Sequence, residues 1–204
     1  LTVQDIVFTQ SFEIEAWGAA QYSSFKNITV KNCSFVGSPD TVTVNTSRNK
    51  LISFGGGENG IFDNLTFIGC TVKDAFQGIY MQASTNITIE GCTFENLGHN
   101  AIAVQSGSGT ALSGGTIVIT NNIITNGADR AIRFGVLSDN SSVTVNGNKM
   151  INTGDAEGQL IKAQSVGTGT TVNLDGNYWS GRELSAAIDI SLGATDNSPI
   201  ASLS

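Results

Sequence analysis

Side chains able to do chemistry are sparse in this chain of 204 residues, which has one histidine, three cysteines and a charged fraction of 13%. The histidine, His99, sits in Leu97-Gly98-His99-Asn100 and carries the donor and acceptor nitrogens that proton transfer or ligand hydrogen bonding needs. Further along come Asp129-Arg130 and Asp155-Ala156-Glu157, and Tyr80, Arg133 and Lys162 each stand in the middle of a short alternating stretch. A tyrosine can cover a sugar face while arginine and carboxylates bond its hydroxyls. Tyr80, His99, Asp129, Arg130, Arg133, Glu157 and Lys162 are therefore the candidate set for a shallow site that docks a glycan or a protein. The same residue types also make the solvated face that any exposed sheet requires, and both readings stand. Asp155 and Glu157 form a close acid pair of the kind glycoside hydrolysis uses, with the geometry left open.

What would bring these residues together is an internal repeat. An apolar-polar-apolar step, a bend and a second apolar step recur as Leu1-Thr2-Val3 to Phe8, Ile28-Thr29-Val30 to Phe35, Leu65-Thr66-Phe67 to Val72 and Ile87-Thr88-Ile89 to Phe94. The series continues with Ile117-Val118-Ile119 to Ile124, Val143-Thr144-Val145 to Met150 and Val172-Asn173-Leu174 to Trp179. Equivalent positions recur about every 22 to 37 residues, so insertions belong in turns while strands keep register. Alternation of period two marks strands with one inner and one outer face. At the bend stands Asp5, Asn32, Gly69, Gly91, Asn121, Gly147 or Gly176, types that tolerate a left-handed backbone.

A third side of each coil is expected at Val42-Thr43-Val44, Ile79-Tyr80-Met81, Ile102-Ala103-Val104, Ile132-Arg133-Phe134, Ile161-Lys162-Ala163 and Ile188-Asp189-Ile190. One coil cannot bury its few apolar side chains alone, so coils must stack at the strand spacing of about 4.8 Å. The fold class that follows is all-β, a single-stranded parallel β-helix (solenoid) of about seven coils, right-handed by the rule for parallel crossovers. It is expected to span residues 1–190, with 191–204 a closing segment or linker. In this register the turns holding His99-Asn100, Asp129-Arg130 and Asp155-Glu157 lie side by side, and Tyr80, Arg133 and Lys162 point outward beside them.

One inward column reads Ile6, Cys33, Cys70, Cys92, Asn122, Asn148, Asn177. No histidine or acid shares it, which favours a ladder of small core residues over a metal or redox site. In-register parallel neighbours hold their Cβ atoms wider than the roughly 3.8 Å of a disulfide, so three reduced, buried thiols are expected.

The repeat resembles the parallel β-helix proteins of the pectate-lyase-like superfamily from Leu1 to about Ile190. Gly176-Asn177-Tyr178-Trp179 is similar to the Asn-Tyr-Trp-Gly signature that ends many bacterial surface β-helices, although Ser180 intervenes before Gly181. Gly98-His99 resembles a fragment of the polygalacturonase site, without the clustered aspartates and Arg-Ile-Lys segment of that family. The resemblance implies a non-catalytic module of a secreted or cell-surface bacterial protein, adhesive or spacing, that engages carbohydrate or a host or cell-surface protein. It leaves two alternatives: a polysaccharide lyase or glycoside hydrolase on an acidic polysaccharide, to which calcium would belong, and a phage tail-fibre β-helix, which would be trimeric. No cofactor is expected of the module.

A formal net charge of −7 and the lack of basic clusters disfavour nucleic acid and anionic membrane as partners. No apolar run approaches the roughly 20 residues needed to cross a bilayer. The chain opens inside a repeat and its tail turns to small polar residues around Pro199, from which further domains of a larger extracellular protein are expected.

Overall fold

A computed structural model describes residues 1–16, 24–43, 50–56, 61–106, 112–127, 130–153, 160–181 and 188–192. Among the described residues the chain winds through three parallel sheets of seven strands each, one strand per sheet in every coil. The first sheet holds Thr2–Gln4, Ser24–Lys31, Ile61–Ile68, Ser84–Glu90, Gly114–Thr120, Ser142–Asn146 and Thr171–Asn173. The second holds Val7–Phe8, Ser34–Val36, Thr71–Ala75, Thr93–Leu97, Ile123–Thr125, Lys149–Ile151 and Tyr178–Ser180. The third holds Phe12–Ala16, Lys50–Gly56, Gln77–Gln82, Ile102–Gln105, Ile132–Val136, Ile161–Val166 and Ile188–Leu192. Every strand pairs with its counterpart one coil away, so equivalent repeat residues such as Thr2, Thr29, Thr66 and Thr88 stand in line.

The corner between the first two sheets is built as the repeat requires. Asp5, Asn32 and Asn121 take φ of 57°, 52° and 57°, and Gly69, Gly91, Gly147 and Gly176 lie between 61° and 69°. Two further left-handed columns turn the chain elsewhere: Asn27, Asn64, Asn86 and Gly115 within the first-sheet strands, and Asp74, Asn96, Asn126, Asn152 and Gly181 at the C-terminal ends of the second-sheet strands or just past them. Asparagine side chains bridge these corners from coil to coil, as Asn64 Nδ2 does to Asn27 Oδ1 at 2.7 Å and Asn96 Nδ2 to Asp74 Oδ1 at 2.7 Å. At Gly147 an added Cβ would lie 2.6 Å from the Asn121 side-chain oxygen, so this step takes glycine for space as well as for φ.

Inward side chains form one apolar column, widest around the fully buried Phe35, Phe54, Phe62, Phe67 and Phe94. Beside it runs the expected ladder. Cys92 N donates to Asn122 Oδ1 at 2.8 Å, and Asn122 donates from both N and Nδ2 to Asn148 Oδ1, at 3.0 and 2.9 Å. Asn148 repeats the pattern onto Asn177 Oδ1, while Asn122 Nδ2 and Asn148 Nδ2 also donate to the carbonyls of Ile89 and Ile119. Cys33, Cys70 and Cys92 are free and buried. The hydrogen bond from Cys92 favours ionisation of Cys70 first and, together with burial, pushes the Cys92 thiol up. A second buried polar ladder went unread in the sequence: Ser84 N donates to Ser113 Oγ at 3.0 Å, and Ser141 N to Thr170 Oγ1 at 3.2 Å.

Two expectations need correction. Val42-Thr43-Val44 is not a third-side strand: Pro39–Thr41 forms a 3₁₀ turn with Val42 as its cap, Thr43 continues the turn, and Val44 lies outside the described residues. The strand of that coil is Lys50–Gly56, because only Ile52 falls in register with Phe12 on one side and Ile79 on the other. Ile6 holds the ladder position of the first coil but is 44% exposed, having a neighbouring coil on one side only.

Replacing Asn122 by Ala strips the Cys92 N–H, the Ile89 carbonyl and the Asn148 amide of a buried partner at once. It is expected to lower stability by about 3 kcal/mol in urea unfolding. Asn121→Gly, one residue earlier and at the exposed left-handed corner, is expected to stay within about 0.5 kcal/mol of the parent.

Candidate functional site

The candidate residues gather where the chain passes from the second sheet into the third. Phe76 joins Thr71–Ala75 to Gln77–Gln82, and one coil later Gly98-His99-Asn100-Ala101 makes the same passage. Gly98 is required there because a Cβ would collide with the Val42 carbonyl oxygen. Both Phe76 and His99 stand three residues before an inward isoleucine, Ile79 and Ile102, which pair in register. Their rings therefore stack, with centroids 5.0 Å apart and planes 8° from parallel.

Two amides flank the imidazole. Gln77 Nε2 lies 2.7 Å and Asn100 Nδ2 2.6 Å from His99 Nδ1, and Gln77 and Asn100 are both buried. One ring nitrogen accepts a single N–H along its lone pair, while the amide oxygens Gln77 Oε1 and Asn100 Oδ1 are buried with no hydrogen-bond partner among the described residues. Turning an amide about its terminal bond sets a carbonyl oxygen on Nδ1 and lets the ring donate Nδ1–H to it. The tautomer of His99 is thus set by these neighbours, and its ring plane is fixed by Phe76.

The outward row of the third sheet carries the rest. Register places Ser53, Tyr80, Ala103, Arg133, Lys162 and Asp189 on successive strands of one line. Tyr80, Arg133 and Lys162 are half-buried, and Ala103 is buried although its position is an outward one. Lys50 Nζ lies 3.6 Å from the centre of the Tyr80 ring, within cation–π range. Burial raises the Tyr80 phenol above its ordinary value, and the positive charge of Arg133 partly opposes this. Arg130 lies just before the strand Ile132–Val136, where its carbonyl accepts from Ala101 N at 3.3 Å.

Of the expected set, Tyr80, Arg133 and Lys162 thus share one row and His99 and Arg130 border it, while Asp129 and Glu157 lie outside the described residues, as does Asp155. Phe76, Gln77 and Lys50 were not singled out from the sequence. Phe76 was within reach, since it holds the same place before Ile79 that His99 holds before Ile102. Lys50 was hidden by the misplaced third-side strand of its coil. Lys50, Arg130, Arg133 and Lys162 supply the cations of a mixed-charge strip, whose register line runs from Glu13 through Ser53 to Asp189.

Among the described residues no three or more His, Cys, Asp or Glu side chains gather closely enough to hold a metal ion. Among them, too, no helix is long and apolar enough to cross a membrane. In comparisons with known proteins, a family model described as a right handed beta helix region matches residues 4–149. No curated protein and no solved structure matches the chain.

Removing the guanidinium in Arg133→Ala takes away a charge that favours the Tyr80 phenolate. The expected outcome in an NMR titration is a Tyr80 phenol that moves still higher. A Tyr80 titration that stays put, or falls, would place Arg133 away from that ring.

Proposed function

The chain belongs to the right-handed β-helix family, and on that scaffold we propose that it is a non-catalytic module of a secreted or cell-surface protein, an adhesive or spacing element that engages carbohydrate. The observation that carries this reading is the outward row in which Tyr80, Arg133 and Lys162 recur in register beside the stacked Phe76 and His99 rings. A half-buried tyrosine offers a flat apolar face for a sugar ring, and cationic side chains at coil spacing offer donors to hydroxyls or acidic groups along an extended chain. Rigid strands hold the row, so little ordering cost is incurred on binding.

A repetitive scaffold also suits a spacer, because coils add length without new architecture. The ligand is then met on the flank of the solenoid, parallel to its axis, and successive sugar units meet successive coils. No cofactor takes part in this reading.

A glycan array followed by calorimetry on the best ligand tests it. Saturable binding without release of unsaturated or newly reducing products is expected, weakened about thirtyfold by Tyr80→Ala and by Arg133→Ala, the loss usual for aromatic and arginine anchors. Product release would favour the lyase or hydrolase, and full affinity in the double variant would remove the row from the site.

A further inference from the structure

A cleft of about 330 Å³ opens in the first three coils, at the same passage between second and third sheets and on the N-terminal side of the strip. Its floor is apolar and buried, made by Leu51 and Ala75, and its rim includes the exposed Thr9, Gln10, Ser11 and Ser38. Thr41 also lines it; its hydroxyl donates to Ser38 O at 2.7 Å and so keeps its lone pairs as acceptors. Lys50 is the one charged side chain among the described lining residues. The same lysine reaches the Tyr80 ring, so the cleft and the outward row adjoin through it.

We infer that this cleft seats a single pyranose unit, the end of the glycan whose following units run over Lys50 onto Tyr80 and along the row to Lys162. The inference rests on the carbohydrate reading above and adds a terminal subsite to it. A volume near the lower end of ligand sites, about 300 to 1,000 Å³, suits one sugar ring with its substituents. The apolar floor faces the C–H side of such a ring, and the hydroxyl and amide rim meets its hydroxyls. With a cation and no carboxylate among the described lining residues, the unit is neutral or acidic rather than an ammonium sugar.

The test is an amide NMR titration of the whole chain with glucose, galactose, mannose, N-acetylglucosamine, glucuronate and glucosamine. At least one of the first five is expected to shift Gly37, Thr41 and Leu51, with glucosamine about fivefold weaker or more than its N-acetylated form. Ser38→Trp should abolish these shifts by filling the cleft. Ser38 is exposed and makes no capping hydrogen bond with its side chain, so the fold tolerates the change. Silence from every sugar, shifts that survive Ser38→Trp, or glucosamine binding as well as its N-acetylated form would each overturn the inference. If the array-selected glycan still perturbs Tyr80, Arg133 and Lys162 in that event, the cleft alone has failed; if it perturbs neither region, the carbohydrate reading has failed with it.

Discussion

Every strand in this molecule is completed by the strand one coil away, and that single requirement organises the rest. Strands of two to eight residues have no stability of their own; their N–H and C=O groups are satisfied only by the coils above and below. The spacing of those hydrogen bonds fixes the spacing of the side chains, inward and outward alike. A residue type placed at one step therefore meets its counterparts at the next, as Cys33 leads to Cys70, Cys92 and then Asn122. Corners carry the cost of the geometry, and left-handed asparagine and glycine residues bear it in columns of their own.

The interior changes character along the axis. The N-terminal half is filled by aromatic rings, with Phe8 stacked on Phe35 at 4.7 Å and Phe54 set edge-on to Phe62 and Phe67. Toward the C-terminal half the inward residues become mostly Ile, Val, Leu and Ala, with Phe134 the one buried aromatic ring among the described residues there, and the ladder becomes asparagine. Asn122 and Asn148 each accept through Oδ1 from the coil before and donate through Nδ2 both to a carbonyl of that coil and to the asparagine of the coil after. Polar bonding directed along the axis thus supplements the non-directional packing that phenylalanine provides earlier.

What could be read from residues alone followed from strict periodicity. The first two strands of each coil keep a fixed offset, so their register, the first corner and the Cys–Asn column were all visible. The third strand follows a turn of variable length, and there the local pattern Val42-Thr43-Val44 imitated a strand that the register assigns to Lys50–Gly56. The same variability concealed the Ser84–Ser113 ladder, whereas the corners at Asp74, Asn96, Asn126, Asn152 and Gly181 all fall two residues after Val72, Phe94, Ile124, Met150 and Trp179 and were legible in the repeat. The candidate site straddles this divide. Tyr80, Arg133 and Lys162 belong to strands and were aligned correctly, whereas the contacts of Gln77 and Asn100 with the His99 ring depend on side-chain placement that only three-dimensional neighbours reveal.

The functional reading inherits its geometry from that stack: a straight outward row exists only because the inward columns are continuous and dry. Hydrogen exchange of the side-chain amides measures this most directly, since Asn122 and Asn148 are buried in the middle of the ladder. The account requires their Nδ2 protons to be protected as strongly as the backbone amides of Ile119 and Val145 beside them. Exchange at the rate of a free asparagine amide, with those backbone amides still protected, would mean that the coils do not close on one another as described.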